Sequence, residues 1–149
     1  MHAIIDFATA TDLPEMIDLM RELFTLESDF QPEHDKQLQG LKLILDNPAL
    51  GQLFVLRVEG KVAGMANALI TVSTAQGTRV LLLEDVIVSA KYRGAGLGRA
   101  LVEQVLAWAT AQGMTRVTLL ADRDNTAALA FYDRLGFENS AMVVRRKPL

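Results

Sequence analysis

The chain has 149 residues, half of them apolar and 22% charged, with a formal net charge of −3 at pH 7. This length and composition are typical of one soluble domain, which we expect to span residues 1–149. It contains no cysteine, which excludes a disulfide scaffold, a thiolate zinc site and a cysteine nucleophile. The acidic balance argues against a nucleic-acid partner, and because we see neither a signal peptide nor a run of roughly 18 apolar residues, we expect a cytoplasmic protein with no membrane partner.

Apolar spacing and turn residues predict a series of strands and helices along the chain. Leu13, Met16 and Ile17 recur at helical spacing, Glu59-Gly60 is a hairpin signal, and Gly64 marks a bulge after it. The predicted elements are a strand at 3–8, helices at 13–24 and 35–45, strands at 53–58, 61–74 and 80–88, a helix at 97–112, a strand at 115–121, a helix at 125–135 and a strand at 142–146. This order predicts a single mixed α/β (α+β) domain.

A glycine-rich turn follows the most apolar predicted strand and begins a helix. It consists of Arg93-Gly94-Ala95-Gly96-Leu97-Gly98. The first turn of a helix has backbone N–H groups with no internal partner and lies at the positive end of the helix dipole. Glycines let the backbone approach an anion closely, and Arg93 and Arg99 add positive charge. The turn is therefore predicted to bind a phosphate group.

Two better-known phosphate motifs do not fit this turn. A P-loop has Lys followed by Ser or Thr after its last glycine, but Gly98 is followed by Arg99 and Ala100. The dinucleotide motif has a third glycine three residues after its second, and this chain has Arg99 there. A turn whose glycines serve only the chain reversal remains the alternative to a phosphate site.

Two motifs resemble those of the GNAT superfamily of acetyl-CoA-dependent N-acyltransferases. The first is Arg93-x-x-Gly96-x-Gly98, after a strand that ends in Val86-Ile87-Val88. The second lies downstream at the expected distance and comprises Asn125, Ala128, Phe131, Tyr132, Gly136 and Phe137. The resemblance implies the fold of that superfamily, a mixed and mostly antiparallel sheet that splays between its fourth and fifth strands, with flanking helices.

The resemblance also implies a binding site for acetyl-CoA and no metal ion. It assigns the backbone groups of Val86, Ile87 and Val88 to the pantetheine arm and the thioester. It assigns the pyrophosphate to the turn, that is to Arg93, Gly94, Ala95, Gly96, Leu97, Gly98 and Arg99. It places Asn125 near the pantetheine arm or the acceptor, and it assigns Ala128 and Phe131 to the binding of the coenzyme. Asn125 is in addition a good helix cap.

Acyl transfer from a thioester to an amine requires a neutral amine, donors for the oxyanion and a proton for the leaving thiolate. By resemblance Tyr132 is the general acid, and a packed tyrosine with its hydroxyl in water is the alternative. Glu84 is the predicted base, with Asp85 as an acceptor-binding or structural alternative. The other explanation of this pair is a buried salt bridge or a carboxylate that accepts hydrogen bonds from N–H groups. Because side chains alternate along a strand, only one of the two acids should face the acceptor unless a bulge intervenes.

The resemblance places the acceptor between the first two helices and the hairpin. Acids and one histidine are concentrated there, namely Glu27, Asp29, Glu33, His34 and Asp35. Such a cluster would attract a cationic amine, although a solvated loop is the commoner explanation for such a run.

These expectations describe an enzyme that transfers acetyl from acetyl-CoA to a primary amine of a small molecule. Direct attack in a ternary complex is expected, since no nucleophile has an evident activating partner. A peptide or protein amine is the alternative acceptor, and a non-catalytic acyl-CoA sensor is the alternative of another class. The apolar run Ala141-Met142-Val143-Val144 would permit a homodimer, whereas Arg145-Arg146-Lys147 would protect the same edge.

Overall fold

The computed structural model describes residues 2–26 and 33–149. Its elements are β1 (Ala3–Phe7), a 3₁₀ turn (Ala10–Asp12), α1 (Leu13–Leu26), α2 (His34–Leu45), β2 (Gly51–Val58), β3 (Lys61–Ser73), β4 (Thr78–Val88), a second 3₁₀ turn (Ala90–Tyr92), α3 (Leu97–Ala111), β5 (Val117–Leu119) and α4 (Thr126–Arg134). Each helix and strand predicted before residue 136 is present, with ends shifted by a few residues. Within this described part, no helix is long and apolar enough to cross a membrane.

The prediction of a strand at 142–146 is wrong. These residues belong to no helix or strand, and Met142, Val143 and Val144 are largely exposed. A run of apolar and β-branched residues favours an extended conformation, but a strand forms only where a neighbour supplies hydrogen bonds. The edge strand β5 offers only three residues for pairing.

The sheet opens between β4 and β5. Its strand order is β1-β2-β3-β4-β5, in which β1 to β4 pair antiparallel and β5 runs parallel to β4. The β3–β4 ladder continues to the pair Gly64–Val88. In contrast, the ladder that the structure describes between β4 and β5 stops at the pair Leu83–Leu119. The splayed sheet that the resemblance implied is therefore confirmed.

Two apolar clusters cover the two faces of the sheet, because side chains alternate along each strand. One cluster lies under α1 and α2 and includes Met16, Ile17, Leu41, Leu53, Val55, Met65 and Ile87. The other lies under α3 and includes Phe54, Ala66, Ala68, Leu81, Leu83, Leu101 and Val105. We call these two sides the α1 face and the α3 face. The apolar strand β4 is covered on both, as its continuous run of apolar residues predicted.

The predicted hairpin at Glu59-Gly60 joins β2 to β3, and both of its residues have positive φ. The bulge expected at Gly64 lies one residue before that position, because Ala63 is the extra residue of β3. Gly64 itself permits a close approach of two strands, because a Cβ there would lie 2.9 Å from the carbonyl oxygen of Ile87.

An ion-pair network that the sequence did not indicate fastens the start of α1 to β1 and β2. Arg57 donates to both carboxylate oxygens of Asp12, at 2.7 and 2.9 Å, and to Asp6 at 2.9 Å. The hydrogen bond from Arg57 lowers the pKa of Asp12 against the effect of burial, and hydrogen bonds from Thr9 lower it further. The hydrogen bonds to Asp12 and Asp6 raise the pKa of Arg57. Asp12 is therefore held ionised at a position where its side chain is only 6% exposed.

Candidate active site

The glycine turn has the open backbone that an anion requires. Gly94 and Gly96 have φ of 85° and 78°, a region that glycine adopts without steric cost. A Cβ at Gly96 would meet no atom within 4 Å, so the space beside the turn is open. Gly96 caps α3 without a side-chain hydrogen bond, and no cap side chain competes for the first N–H groups of the helix.

The remainder of the turn connects α3 to β4 and α4. A Cβ at Gly98 would lie 3.6 Å from the side chains of both Val88 and Phe131. Leu97 packs with Val88 against the small cluster at the end of β2 and the start of β3, while Ala95 is exposed. The turn therefore rests on β4 and α4 and opens away from them.

Both arginines of the turn are bound by carboxylates of the chain itself. Arg93 donates through Nε to the Val88 carbonyl oxygen at 2.9 Å and through Nη2 to Glu22 of α1 at 3.0 Å. Arg99 donates through Nε to Glu103, one helical turn further along, at 2.7 Å. In this arrangement the backbone N–H groups and the helix dipole supply most of the positive potential at the turn.

A β-bulge interrupts β4 at the acidic pair. Between the pairs Asn67–Glu84 and Met65–Ile87, β4 has two residues where β3 has one. The first of the two, Asp85, has φ of 52°, a left-handed conformation that Asp adopts more readily than most residues. The bulge bends β4 and changes the alternation of its side chains.

Of the three residues predicted to contact the thioester and the pantetheine arm, Val86 is the second residue of this bulge, and Ile87 and Val88 follow it. Val86 packs on the α3 face, Ile87 is buried on the α1 face, and Val88 is partly buried beside the turn. The β4–β5 ladder has ended before them, at Leu83. In the described part of the chain, this edge of β4 therefore has no strand neighbour.

Glu84 lies on the α1 face. Directly paired residues of antiparallel strands share a face, and its partner Asn67 stands two residues from Met65 of the α1-face cluster. The Nδ2 group of Asn67 donates to the Asp85 carboxylate at 2.7 Å. Because of the bulge, both acids therefore lie close to the Asn67 side chain, and the simple alternation does not apply.

Asn67 is a candidate site residue that sequence reasoning missed. It is only 2% exposed, and among the described residues its Oδ1 has no hydrogen-bond partner. A buried polar atom left in this state costs about 1–3 kcal/mol. The available signal was a single amide within the apolar run 62–72.

The second motif forms α4. Asn125 accepts the backbone N–H of Ala128 through Oδ1 at 3.1 Å, so its predicted capping role is confirmed. Phe131 and Tyr132 are in edge-to-face contact at 5.0 Å between ring centroids, and Tyr132 contacts Phe137 in the same way at 5.6 Å. The Tyr132 ring is therefore held between two aromatic neighbours and packs with them against the α3-face cluster.

Tyr132 and Glu84 approach the sheet from different sides, since Tyr132 packs on the α3-face cluster and Glu84 lies on the α1 face. The two groups can serve one reaction only through an opening in the sheet. The β4–β5 ladder supplies such an opening, because it stops one residue before Glu84.

The structure describes only some of the acids that were predicted to face the acceptor. Glu27 and Asp29 lie outside the described residues. Glu33 forms an ion pair with Lys36 at 2.9 Å, and His34 contacts Asp35 at 3.4 Å. These four side chains at the start of α2 are all exposed, as in a solvated segment.

The arrangement combines a helix start with uncapped backbone N–H groups, an open strand edge and two groups that can transfer protons. These parts suit the transfer of an acyl group from a long, phosphate-bearing donor. In the residues that the structure describes, no group of three or more His, Cys, Asp or Glu side chains could hold a metal ion.

A comparison with protein families matches residues 13–137 to the family described as Acetyltransferase (GNAT) family. This range contains the glycine turn, the bulge of β4 and both aromatic residues of α4.

Individual proteins resemble the chain to different extents. The aminoglycoside N(6')-acetyltransferase type 1 of Acinetobacter genomosp. 13 is 30% identical over 136 residues, which are 89% of this chain and 93% of that protein. The N-acetyltransferase family 8 member 2 of Rattus norvegicus is 34% identical over 92 residues, 62% of this chain but only 41% of that longer protein. The solved structure of aminoglycoside N-acetyltransferase AAC(6')-Iy in complex with CoA has the same fold, with a TM-score of 0.84 at 23% identity over 99% of this chain and 95% of that one.

Proposed function

The chain belongs to the acetyltransferase (GNAT) family, a family of acyl-CoA-dependent acetyltransferases, and on that premise we propose that it transfers an acetyl group from acetyl-CoA to a primary amine of a small molecule. The observation that carries the proposal is the end of the β4–β5 ladder at Leu83, next to a glycine turn that leaves the start of α3 open. An opening through the sheet beside an anion site accommodates a donor with a phosphate at one end and a thioester at the other.

We propose that acetyl-CoA binds along the opening between β4 and β5. The pyrophosphate contacts the backbone of residues 93–99, where α3 presents its free N–H groups. The pantetheine arm follows the edge of β4 along Val86, Ile87 and Val88. It then passes Asn125, which caps α4, and Ala128 and Phe131 within that helix. The thioester then lies near the bulge, where the backbone of β4 no longer follows the regular ladder.

The reaction is a direct attack of the amine on the thioester carbonyl carbon. A C–N bond forms, the C–S bond breaks, and backbone N–H groups of β4 stabilise the oxyanion between these steps. Glu84 accepts the proton that the amine loses, with Asp85 as the alternative acceptor-binding or structural acid. Tyr132 donates a proton to the leaving thiolate.

A small amine is the proposed acceptor, and the Acinetobacter relative, named for an aminoglycoside substrate, supports this class. The exposed acids Glu33 and Asp35 at the start of α2 would attract a cationic amine.

The test is to incubate the protein with acetyl-CoA and a panel of polyamines, aminosugars, amino acids and peptides, and to follow the release of free thiol. Release with small amines is the expected result. Release with peptides alone would favour a protein or peptide acetyltransferase. Tight binding of acetyl-CoA without release across the panel would favour an acyl-CoA sensor.

The proposal includes a homodimer formed through the C-terminal segment. Met142, Val143 and Val144 are 86%, 80% and 56% exposed. If a second copy of the chain covers this apolar segment, the free energy falls, which stabilises the dimer. Light scattering of the wild-type protein and of Val143→Lys should give a dimer and a monomer, respectively. A monomeric wild-type protein would exclude the dimer.

A further inference from the structure

Glu22 of α1 contacts the segment that joins β4 to α3. Its Oε1 accepts the backbone N–H of Ala90 at 3.1 Å and the Nη2 group of Arg93 at 3.0 Å. Ala90 begins the second 3₁₀ turn, and Arg93 begins the glycine turn. One carboxylate therefore holds the connecting segment at two points, the start of the 3₁₀ turn and the start of the glycine turn.

Arg93 extends this attachment to the end of β4. Its Nε donates to the carbonyl oxygen of Val88 at 2.9 Å while Nη2 contacts Glu22. Hydrogen bonds between a guanidinium and a carboxylate are stronger than neutral ones. Glu22 therefore orients the Arg93 guanidinium, and Arg93 in turn keeps the glycine turn against the strand.

We infer that Glu22 is a positioning residue for the coenzyme turn, and that it acts through Ala90 and Arg93 without touching the coenzyme. The inference rests on the proposed function, because it takes the turn to be the pyrophosphate site. Gly94 and Gly96 give the turn great conformational freedom. Attachments outside the turn must therefore restrict it before the coenzyme binds, and each degree of freedom that is already restricted reduces the entropic cost of binding.

Two other acids of α1 serve as matched controls. Glu15 precedes Glu22 by seven residues, and its Oε2 accepts the backbone N–H of Val62 at 3.1 Å. It is thus an attachment of the same chemical kind on the same helix, but it contacts β3 and not the turn. Asp18 carries the same charge, is 70% exposed, and forms an ion pair with Arg21 on its own helix.

The experiment measures the dissociation constant of CoA by calorimetry, together with the KM for acetyl-CoA and kcat. The variants are Glu22→Ala, Glu22→Gln, Glu15→Ala and Asp18→Ala. For Glu22→Ala we expect both the dissociation constant and the KM to rise about threefold to tenfold, the equivalent of one lost hydrogen bond, with kcat changed by less than about twofold. Glu22→Gln should lie between wild type and Glu22→Ala, because its Oε1 can still accept the N–H of Ala90. The controls should match wild type.

Unchanged CoA affinity in Glu22→Ala would overturn the inference. Tighter binding would overturn it as well, since it would mean that Arg93, once released, contacts the phosphate itself. An equal loss in Glu15→Ala would assign the effect to the docking of α1 in general. If the wild-type protein bound no CoA, the proposed function would fall, whereas binding by wild type and Glu22→Ala alike would refute only the role of Glu22.

Discussion

The Nδ2 group of Asn67 donates a 2.7 Å hydrogen bond to the carboxylate of Asp85, from β3 to the bulge of β4. Asp85 has φ of 52°, and a non-glycine residue in such a conformation costs about 1–3 kcal/mol. The hydrogen bond therefore supports a strained residue close to the point where β4 loses its β5 neighbour. The buried side chain of Asn67 therefore helps to fix the shape of the edge of β4.

This relationship predicts that Asn67→Leu lowers activity without lowering stability. The variant loses the hydrogen bond to Asp85, but it also removes the buried Oδ1 that has no partner among the described residues, and the two effects on stability oppose each other. We expect kcat to fall about tenfold, the equivalent of about 1.4 kcal/mol, and the free energy of unfolding to stay within about 1 kcal/mol. Urea unfolding and steady-state kinetics check both, and full activity in a stable variant would remove Asn67 from the site.

The two adjacent acids can be separated by substitutions that keep their shape. Glu84→Gln should lower kcat about 100-fold at neutral pH and should regain activity as the pH rises, because the free amine is then already neutral. Asp85→Asn, which tolerates the left-handed backbone, should lower kcat less than about tenfold. The measurement is kcat as a function of pH for both variants. A larger loss in Asp85→Asn would transfer the role of base to Asp85.

Removal of the Tyr132 hydroxyl should affect turnover and not binding. Tyr132→Phe keeps the ring contacts with Phe131 and Phe137, so the fold and the CoA dissociation constant should be nearly unchanged. We expect kcat to fall between about tenfold and 100-fold, because the thiolate must then take its proton from water. Calorimetry and thiol release measure the two effects, and an unaltered kcat would exclude Tyr132 as the general acid.

Two glycines with similar positive φ angles can test the coenzyme turn. Gly96 and Gly113 have φ of 78° and 82°, and a Cβ at either meets no atom within 4 Å. Gly96→Ala and Gly113→Ala should each destabilise the fold by about 1–2 kcal/mol through the strained backbone. In contrast, Gly96→Ala alone should weaken CoA binding, by about tenfold or more, because its methyl group occupies the space of the pyrophosphate. Equal CoA affinities for the two variants would contradict this assignment of the turn.

The Asp12–Arg57 pair predicts how stability responds to acid. The pKa of Asp12 in the folded protein lies below its ordinary value of 3.8. The stability that the ionised Asp12 contributes to the fold is therefore fully present above pH 3.8, and it is lost as the pH falls through the lower pKa of the folded protein. Asp12→Asn should lower the free energy of unfolding by about 3 kcal/mol at pH 7, since it leaves a partly buried charge without its main partner. Urea unfolding at pH 7 and at pH 3 should show a smaller difference between the proteins at the lower pH. A difference that is independent of pH would contradict the ion pair as its cause.

Sequence reasoning anticipated the features that depend on neighbouring residues. The periodicity of apolar residues predicted the helices and strands up to residue 135, the pair Glu59-Gly60 predicted the hairpin, and Asn125 predicted a cap. It failed at 142–146, where the residues favour a strand but no partner is present in the described structure. Local preference determines what a segment can form, whereas pairing determines what it does form.

By itself the sequence determined the glycine turn and its place between a buried strand and a helix, because positive φ and free N–H groups are properties of residues 93–98 and their immediate neighbours. Only the tertiary structure decided how that turn is held and how the acids beside it are arranged. Glu22 meets Arg93 across 71 residues, Asp12 meets Arg57 across 45, and Asn67 meets Asp85 across 18. Such contacts depend on strand register, and a bulge of one residue changes which side chains meet, so no local pattern specifies them.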